Sequence, residues 1–255
     1  MRVPVRGRED RLEVDDSPGT SPADGWLWRR YAGVYDALEG LTGYGEMLDA
    51  VVAAVGQAQG RRIVEVGCGT GNVLKRLLPA QPTELVGIDA SEAMLGRAQD
   101  KLGSAITAGQ LRLIGTDAVA GLAGIPGGSV DVVIASNVLY ALTDRQAFWG
   151  EASRVLRPDG RVVLSNPDRP GFGPAVRQQW RTRGVAGFTD LRMIEVFVLN
   201  VAIDALAVAR RYEFPAWAQL AAEAAEAGLD HATLRGRCYG GPIEGMNIVG
   251  ELCRS

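Results

Sequence analysis

The stretch Ile63-Val64-Glu65-Val66-Gly67-Cys68-Gly69-Thr70-Gly71-Asn72-Val73-Leu74 constrains this chain more than any other. It reads as a short buried strand, a glycine turn and the start of a helix. Ile63, Val64 and Val66 suit a strand covered on both faces, as in a parallel sheet. Glycines at 67, 69 and 71 let the backbone turn sharply and let a ligand approach where a Cβ would otherwise stand. The free N–H groups and positive dipole end of the following helix face that turn, which favours an anionic or strongly polar ligand group. The spacing is Gly-x-Gly-x-Gly, not the Gly-x-Gly-x-x-Gly of dinucleotide folds. A carboxylate, Glu65, stands two residues before the first glycine.

Strand and helix signals alternate after the turn. Asn72–Leu78 reads as a helix and Leu85–Ile88 as a second strand, ending at Asp89. A carboxylate at that strand end can accept both hydroxyls of a ribose. Ser91 caps the next helix, carried by Ala93, Met94, Ala98 and Leu102. Leu111–Gly115 is a third strand, and Val130–Ala135 a fourth after the Pro126–Ser129 turn. Asp144 can cap a helix bearing Phe148, Ala152, Val155 and Leu156. Arg157-Pro158-Asp159-Gly160 reads as a turn, and Arg161–Ser165 as a fifth strand. Such alternation gives an α/β fold, a doubly wound Rossmann-like sheet that is mostly parallel.

Two helices precede the first strand, one from Trp26 to Leu38 and one from Gly45 to Ala58, separated by a Gly40–Gly43 break. After the fifth strand, Asn166-Pro167-Asp168 reads as a turn. Helices follow around Pro174–Arg183, from Asp190 onward, and from Pro215 to a stop at Gly228. Two last strands, His231–Tyr239 and Met246–Leu252, form a hairpin. The expected organisation is a disordered tail over 1–23 and a single domain over 24–255. Within that domain lie a helical lid (24–60), a ligand-binding core (61–165), a helical insertion (166–230) and the terminal hairpin (231–255).

Composition removes several function classes. At 255 residues and a net charge of −3, nothing rewards the phosphate backbone of nucleic acid. The three cysteines, 68, 238 and 253, are odd in number and lack metal spacing, so no metal is expected and a reduced cytoplasmic setting is the simplest reading. The first residues lack the apolar core of a secretory signal. The one long apolar run, Leu191–Ala209, contains Arg192, Glu195, Asn200 and Asp204, which are costly in lipid. It suits a helix buried in the fold or facing a partner, and not a membrane span; a homodimer is left open, with no residue assigned to it. Cys68 reads as a small residue that fits a tight turn.

The glycine turn closely resembles the first motif of the class I S-adenosylmethionine (SAM) dependent methyltransferases, and the stretch from about 61 to 165 is similar to that family throughout. The resemblance implies SAM as cofactor and a seven-stranded sheet whose last strand is antiparallel. It assigns cofactor contacts to Glu65, Gly67, Cys68, Gly69, Gly71 and Asn72. Asp89 and Ala90 would meet the ribose, Met94 the adenine face, and Asp117 and Ala118 the adenine edge. The segment Ser136–Tyr140 is where the family sets the methyl acceptor against the donor, so Asn137 is expected at both ligands.

The acceptor side is read from aromatic residues. Of five tryptophans, six tyrosines and five phenylalanines, only Tyr140, Phe148 and Trp149 lie within 61–165. The rest cluster in the lid and insertion, which suggests a largely apolar pocket for a small-molecule substrate between them. Asn137, Tyr140, Tyr31 and Tyr35 are the candidates to orient an acceptor. Arg177, Arg181, Arg183 and Arg192 could anchor an acidic substrate, although a solvated face is the more ordinary use of such charges. The sole histidine, His231, opens a late strand and is a poor candidate base. Methyl transfer to an N, O or C nucleophile needs mainly alignment, which can account for about 7–11 kcal/mol of barrier. Rival readings are a SAM enzyme that displaces another group, a non-catalytic SAM-binding subunit, and a nicotinamide oxidoreductase.

Overall fold

The computed structural model describes residues 22–169, 171, 173–208, 212–238 and 245–254. Its centre is a seven-stranded sheet: β1 (Arg62–Val66), β2 (Glu84–Asp89), β3 (Leu111–Gly115), β4 (Val130–Ser136), β5 (Leu156–Pro167), β6 (His231–Cys238) and β7 (Asn247–Cys253). The order is β3-β2-β1-β4-β5-β7-β6. β1 to β5 pair in parallel, and β7 runs antiparallel to both β5 and β6. This is the doubly wound sheet with an antiparallel terminal strand that the sequence implied.

The helices cover both faces because the strands are apolar on both. On one face, Ile63, Leu85, Val132, Ile134 and Val163 pack beneath α1 (Pro22–Ala32), α2 (Thr42–Val55), α3 (Asn72–Leu77) and α4 (Glu92–Thr107). On the other, Val64, Val86, Val133 and Val162 meet α5 (Ala118–Ala123), α6 (Arg145–Val155) and α9 (Trp217–Glu226). Two further helices, α7 (Gly173–Arg183) and α8 (Arg192–Val208), follow β5 on the first face. Strand order reverses between β1 and β4, so the loops leaving these two strands part and open the crevice where open α/β sheets bind ligands.

Several local expectations change. The helix expected over 26–38 ends at Ala32, and a 3₁₀ turn, Tyr35–Gly40, replaces its second half. Gly33 bonds back to Arg30 and Val34 to Tyr31, the short spacing with which a helix closes. α5 was not anticipated, since its Ala-Val-Ala-Gly-Leu-Ala has no apolar stripe. Residues 157–160 are not a free turn but a bulge inside β5, whose pairing steps from Val130–Leu156 to Val132–Arg161. Asn166 and Pro167 stay in the strand, paired with Ile248 and Asn247. Pro167 lies past the last β4 pair, where one side of the strand has no ladder to interrupt. The expected tail lies outside the described residues except for 22 and 23, which open α1. No helix among the described residues is long and apolar enough to cross a membrane.

The insertion is fastened to the N-terminal helices by one buried amide. Gln179 of α7 is 1% exposed. Its Oε1 accepts from the Thr42 backbone N–H at 3.0 Å, and its Nε2 donates to the carbonyls of Gly40 and Gly187 at 2.9 and 3.0 Å. Gln179→Leu keeps the volume and removes all three partners. An unpaired buried group costs about 1–3 kcal/mol, so we expect this variant to lose at least about 2 kcal/mol in urea unfolding, and wild-type stability there would refute the fastening.

Candidate cofactor and acceptor site

The glycine turn has the conformation its composition called for. Gly67, Gly69 and Gly71 have φ of 61°, 54° and 79°, values that L side chains avoid. A Cβ at Gly67 would lie 2.4 Å from Val138 Cγ2, so the β1 turn and the loop after β4 touch there. The Cys68 amide donates to the Ile88 carbonyl at 3.0 Å, extending the β1–β2 ladder into the turn. Asp89 then clasps it: Oδ2 accepts from the Gly69 N–H at 2.7 Å and Oδ1 from the Ser91 N–H at 2.8 Å. Thr70, 0% exposed, donates to Asp36 Oδ1 of the 3₁₀ turn at 2.6 Å.

Two acids lie close together here. Glu65 is buried at 2% exposure, and its Oε2 has no hydrogen-bond partner among the described residues. Burial holds the Glu65 carboxyl well above the usual carboxylate range, the Asp89 charge adds to this, and the Leu74 amide opposes it. Burial also raises Asp89, against the amides of Ser91 and Gly69. The Cys68 thiol is pushed up by burial and then by both acids, so it is no nucleophile.

A cavity of about 1200 Å³ opens above the turn. Of the expected cofactor residues, Gly67, Gly69, Asp89, Ala90, Met94, Asp117, Ala118 and Asn137 line it. Asp117 caps α5 through a 2.9 Å bond from the Ala120 amide. Glu65, Cys68, Gly71 and Asn72 do not line it and lie behind the turn. Asn72 faces the N-terminal helices instead: its Nδ2 donates to the Tyr44 hydroxyl at 3.1 Å, and its Oδ1 accepts from Lys101 Nζ at 2.5 Å. Lys101 also pairs with Asp36 at 2.7 Å. No sequence pattern links Asp36, Thr70 and Lys101, because each lies on a different element.

The acceptor candidates Tyr31, Tyr35, Asn137 and Tyr140 all line the same cavity. Tyr31 stacks edge-on to Tyr35 with ring centres 5.1 Å apart, and its hydroxyl accepts from Asn200 Nδ2 at 2.9 Å. Burial raises both tyrosines far above the ordinary phenol range. Tyr140 packs against Tyr212 and Phe214, with centres at 5.7 and 5.3 Å. Asn137 has a φ of 53°, and such a left-handed backbone at a non-glycine residue stores strain typical of sites. Its amide donates to the Ser165 carbonyl at 2.8 Å and its Oδ1 accepts from Asn247 Nδ2. Phe214, one of the insertion aromatics from which a pocket was expected, lines the wall; Asn200, Ile203, Met246 and Asn247 also line it and were not anticipated, as each lies far along the chain. His231 and the four insertion arginines are not among the lining residues.

Residues 64–162 match the methyltransferase-domain family. The chain is 28% identical over 169 residues to the 27-O-demethylrifamycin SV methyltransferase of Amycolatopsis mediterranei, covering 64% of this chain and 61% of that one. It is 33% identical over 158 residues to the nocamycin O-methyltransferase of Saccharothrix syringae, covering 60% and 52%. The magnesium protoporphyrin IX methyltransferase of Synechocystis, solved with S-adenosylhomocysteine, superposes with a TM-score of 0.57 at 21% identity over 89% of this chain and 93% of that one. A SAM-dependent methyltransferase of Thermotoga maritima gives 0.59 at 16% identity over 90% and 99%. The chain is similar to the class I SAM-dependent methyltransferases in the sequence of residues 64–162 and in its fold. It spans about half to three-fifths of the length of the two curated relatives.

The site suits SAM on its own chemistry. SAM carries a sulfonium and an ammonium, and the turn sets two buried carboxylates together, one with an unpartnered oxygen. Of the three glycines it is Gly69 that faces open space in the cavity, where a Cβ would meet only Tyr35 at 3.9 Å. The pH dependence has a definite sign. A carboxyl raised in the folded state stabilises that state below its unfolded pKa, and the contribution is lost as pH rises through the folded value. A bound cation favours the ionised form, so SAM binding releases a proton in the window between the ordinary carboxylate range and the raised Glu65 value. Affinity there should tighten with pH by up to about tenfold per unit, as followed by SAM titration at stepped pH. Glu65→Gln should flatten the profile, and a wild-type profile already flat would contradict the assignment.

Proposed function

We propose that this methyltransferase moves the methyl group of SAM to an oxygen, nitrogen or carbon of a small, partly aromatic metabolite, as in the tailoring of natural products. The observation that carries this reading is the continuity of the cavity. It runs from the carboxylates of Asp89 and Asp117 to a wall of Trp28, Tyr31, Tyr140, Phe214 and Met246. One chamber thus offers a polar, acid-lined end for the cofactor and an aromatic end for an acceptor. The two curated relatives, both named as methyltransferases, and one of them as an O-methyltransferase, support the same class. The free cysteines favour a cytoplasmic setting.

SAM, when bound, supplies a methyl already activated on sulfur. The chain's own residues then have three tasks: to exclude water, to align the acceptor and to leave its nucleophilic atom free. The aromatic wall excludes water. Asn137 and Tyr140 sit at the end of β4 beside the glycine turn and orient the acceptor, with Asn137 held by Ser165 and Asn247. No histidine or lysine lines the cavity among the described residues, and burial keeps Tyr31 and Tyr35 protonated at neutral pH. The acceptor therefore brings its own acidity, as a phenol, enol or carboxylic acid does, or arrives as an unprotonated amine.

Incubation with SAM and a panel of phenols, enols, aliphatic alcohols and amines should release S-adenosylhomocysteine and a product heavier by one CH₂, with aliphatic alcohols inert. Methylthioadenosine in its place would mark a SAM enzyme of another kind. A general base is worth about 10²–10⁴-fold. Tyr31→Phe should therefore lower kcat by less than about tenfold, and a loss of the full size would make Tyr31 the base. Asn137→Ala, which frees the acceptor end, should lower kcat/KM by about 10²-fold.

A further inference from the structure

α8 carries apolar side chains on two opposite sides, and only one of the two is covered. Met193, Val196, Leu199 and Ile203 are buried against the fold. On the opposite side Leu191, just ahead of the helix, is 78% exposed, and Ile194, Val198 and Val201 are 60, 62 and 63% exposed. Ala205 continues the line. An apolar helix face is normally covered. Steps of three, four, three and four residues are those of a heptad seam between paired helices. The ridge is extended by Phe197 and Phe188, whose ring centres are 6.0 Å apart, and by Trp180, 6.3 Å from Phe188 and 59% exposed.

We propose that this face of α8 is the interface of a two-fold dimer of the chain. The seam is nearly palindromic about Val198: apolar side chains fall four and seven residues before it and three and seven after it. A two-fold axis at Val198 sets that residue against its own copy, Ile194 beside Val201 of the partner subunit, and Leu191 against Ala205 of the partner subunit. Large side chains thereby meet small ones, as interdigitated packing requires. The flanking charges are already neutralised within the chain: Arg192 pairs with Asp190 at 2.6 Å, and Arg30 pairs with Glu195. Each of these two cations thus brings its own counter-charge to the rim. Five large apolar side chains exposed by 59–78% on one ridge, Trp180, Leu191, Ile194, Val198 and Val201, make a contiguous patch of the kind that marks an interface and not an ordinary monomer surface. The inner face of the same helix carries Asn200 and Ile203 into the cavity wall, so pairing would hold the cap of the site from outside.

Light scattering on the eluted full chain tests this. At tens of micromolar, where a micromolar pair is filled, the protein should weigh twice its 27.1 kDa. The double variant Ile194→Asp, Val198→Asp should return to 27.1 kDa with its circular dichroism unchanged. Under copper–phenanthroline oxidation Val198→Cys should give a disulfide-linked pair that the wild type, with Cys68, Cys238 and Cys253, does not. A wild-type monomer at those concentrations would overturn the proposal. So would a dimer that survives the double variant and fails to cross-link through position 198.

Discussion

The site depends on one bond in particular, the 2.7 Å contact between the Gly69 amide and Asp89. It ties a turn leaving β1 to the end of β2. With Cys68 N–H on the Ile88 carbonyl, it carries the sheet ladder beyond the sheet. The bond constrains both partners. Gly69 must hold a φ of 54°, which favours glycine. Asp89 must stay ionised while largely buried, which desolvation opposes. The second acid, Glu65, raises the electrostatic cost further. A cluster of this kind is costly by itself and is relieved by a cationic ligand, which is the pattern expected where binding and not stability has shaped the residues.

The rest of the fold is arranged to keep this turn in place and closed. Strand order reverses beside it, so the crevice lies where β1 and β4 diverge, and Val138 of the β4 loop fills the space above Gly67. From the N-terminal side, Asp36, Thr70, Lys101 and Asn72 form one polar network that joins the 3₁₀ turn, the glycine turn and α4. The N-terminal segment is therefore bonded directly to the glycine turn. The insertion closes the far side, joined to the N-terminal helices by Gln179 and by the Asn200–Tyr31 bond. The chamber so bounded is lined by the aromatic side chains Trp28, Tyr31, Tyr35, Tyr44, Tyr140 and Phe214 and by the acids Asp89, Glu92, Asp117 and Asp144.

Much of the core was legible in the sequence for a simple reason. A parallel strand covered on both faces must be written as a continuous apolar run, and Ile63–Val66, Leu85–Ile88 and Val130–Ala135 are such runs. Each ends in a turn or an acid that fixes its boundary. The glycine turn was legible because its geometry excludes side chains. The polar part of the opposite wall was not: Asn200, Met246 and Asn247 come from separate elements, and only tertiary packing brings them to Tyr140 and Asn137. Asn72 illustrates the same limit at close range. Its place in the motif suggested the cofactor, but its helix turns its amide toward Tyr44 and Lys101. Gly33, which ends the first helix early, carries only a weak propensity signal against the apolar stripe around it.

The central claim is that the clasped glycine turn binds SAM. Calorimetric titration of the purified chain with SAM and with S-adenosylhomocysteine measures it most directly. The account requires one molecule of either ligand per chain, and at least about a tenfold loss of affinity for both in Asp89→Ala, since a charged hydrogen-bond partner contributes about 1.5–3 kcal/mol. Saturable heat from neither ligand in the wild type, or undiminished affinity in Asp89→Ala, would contradict it.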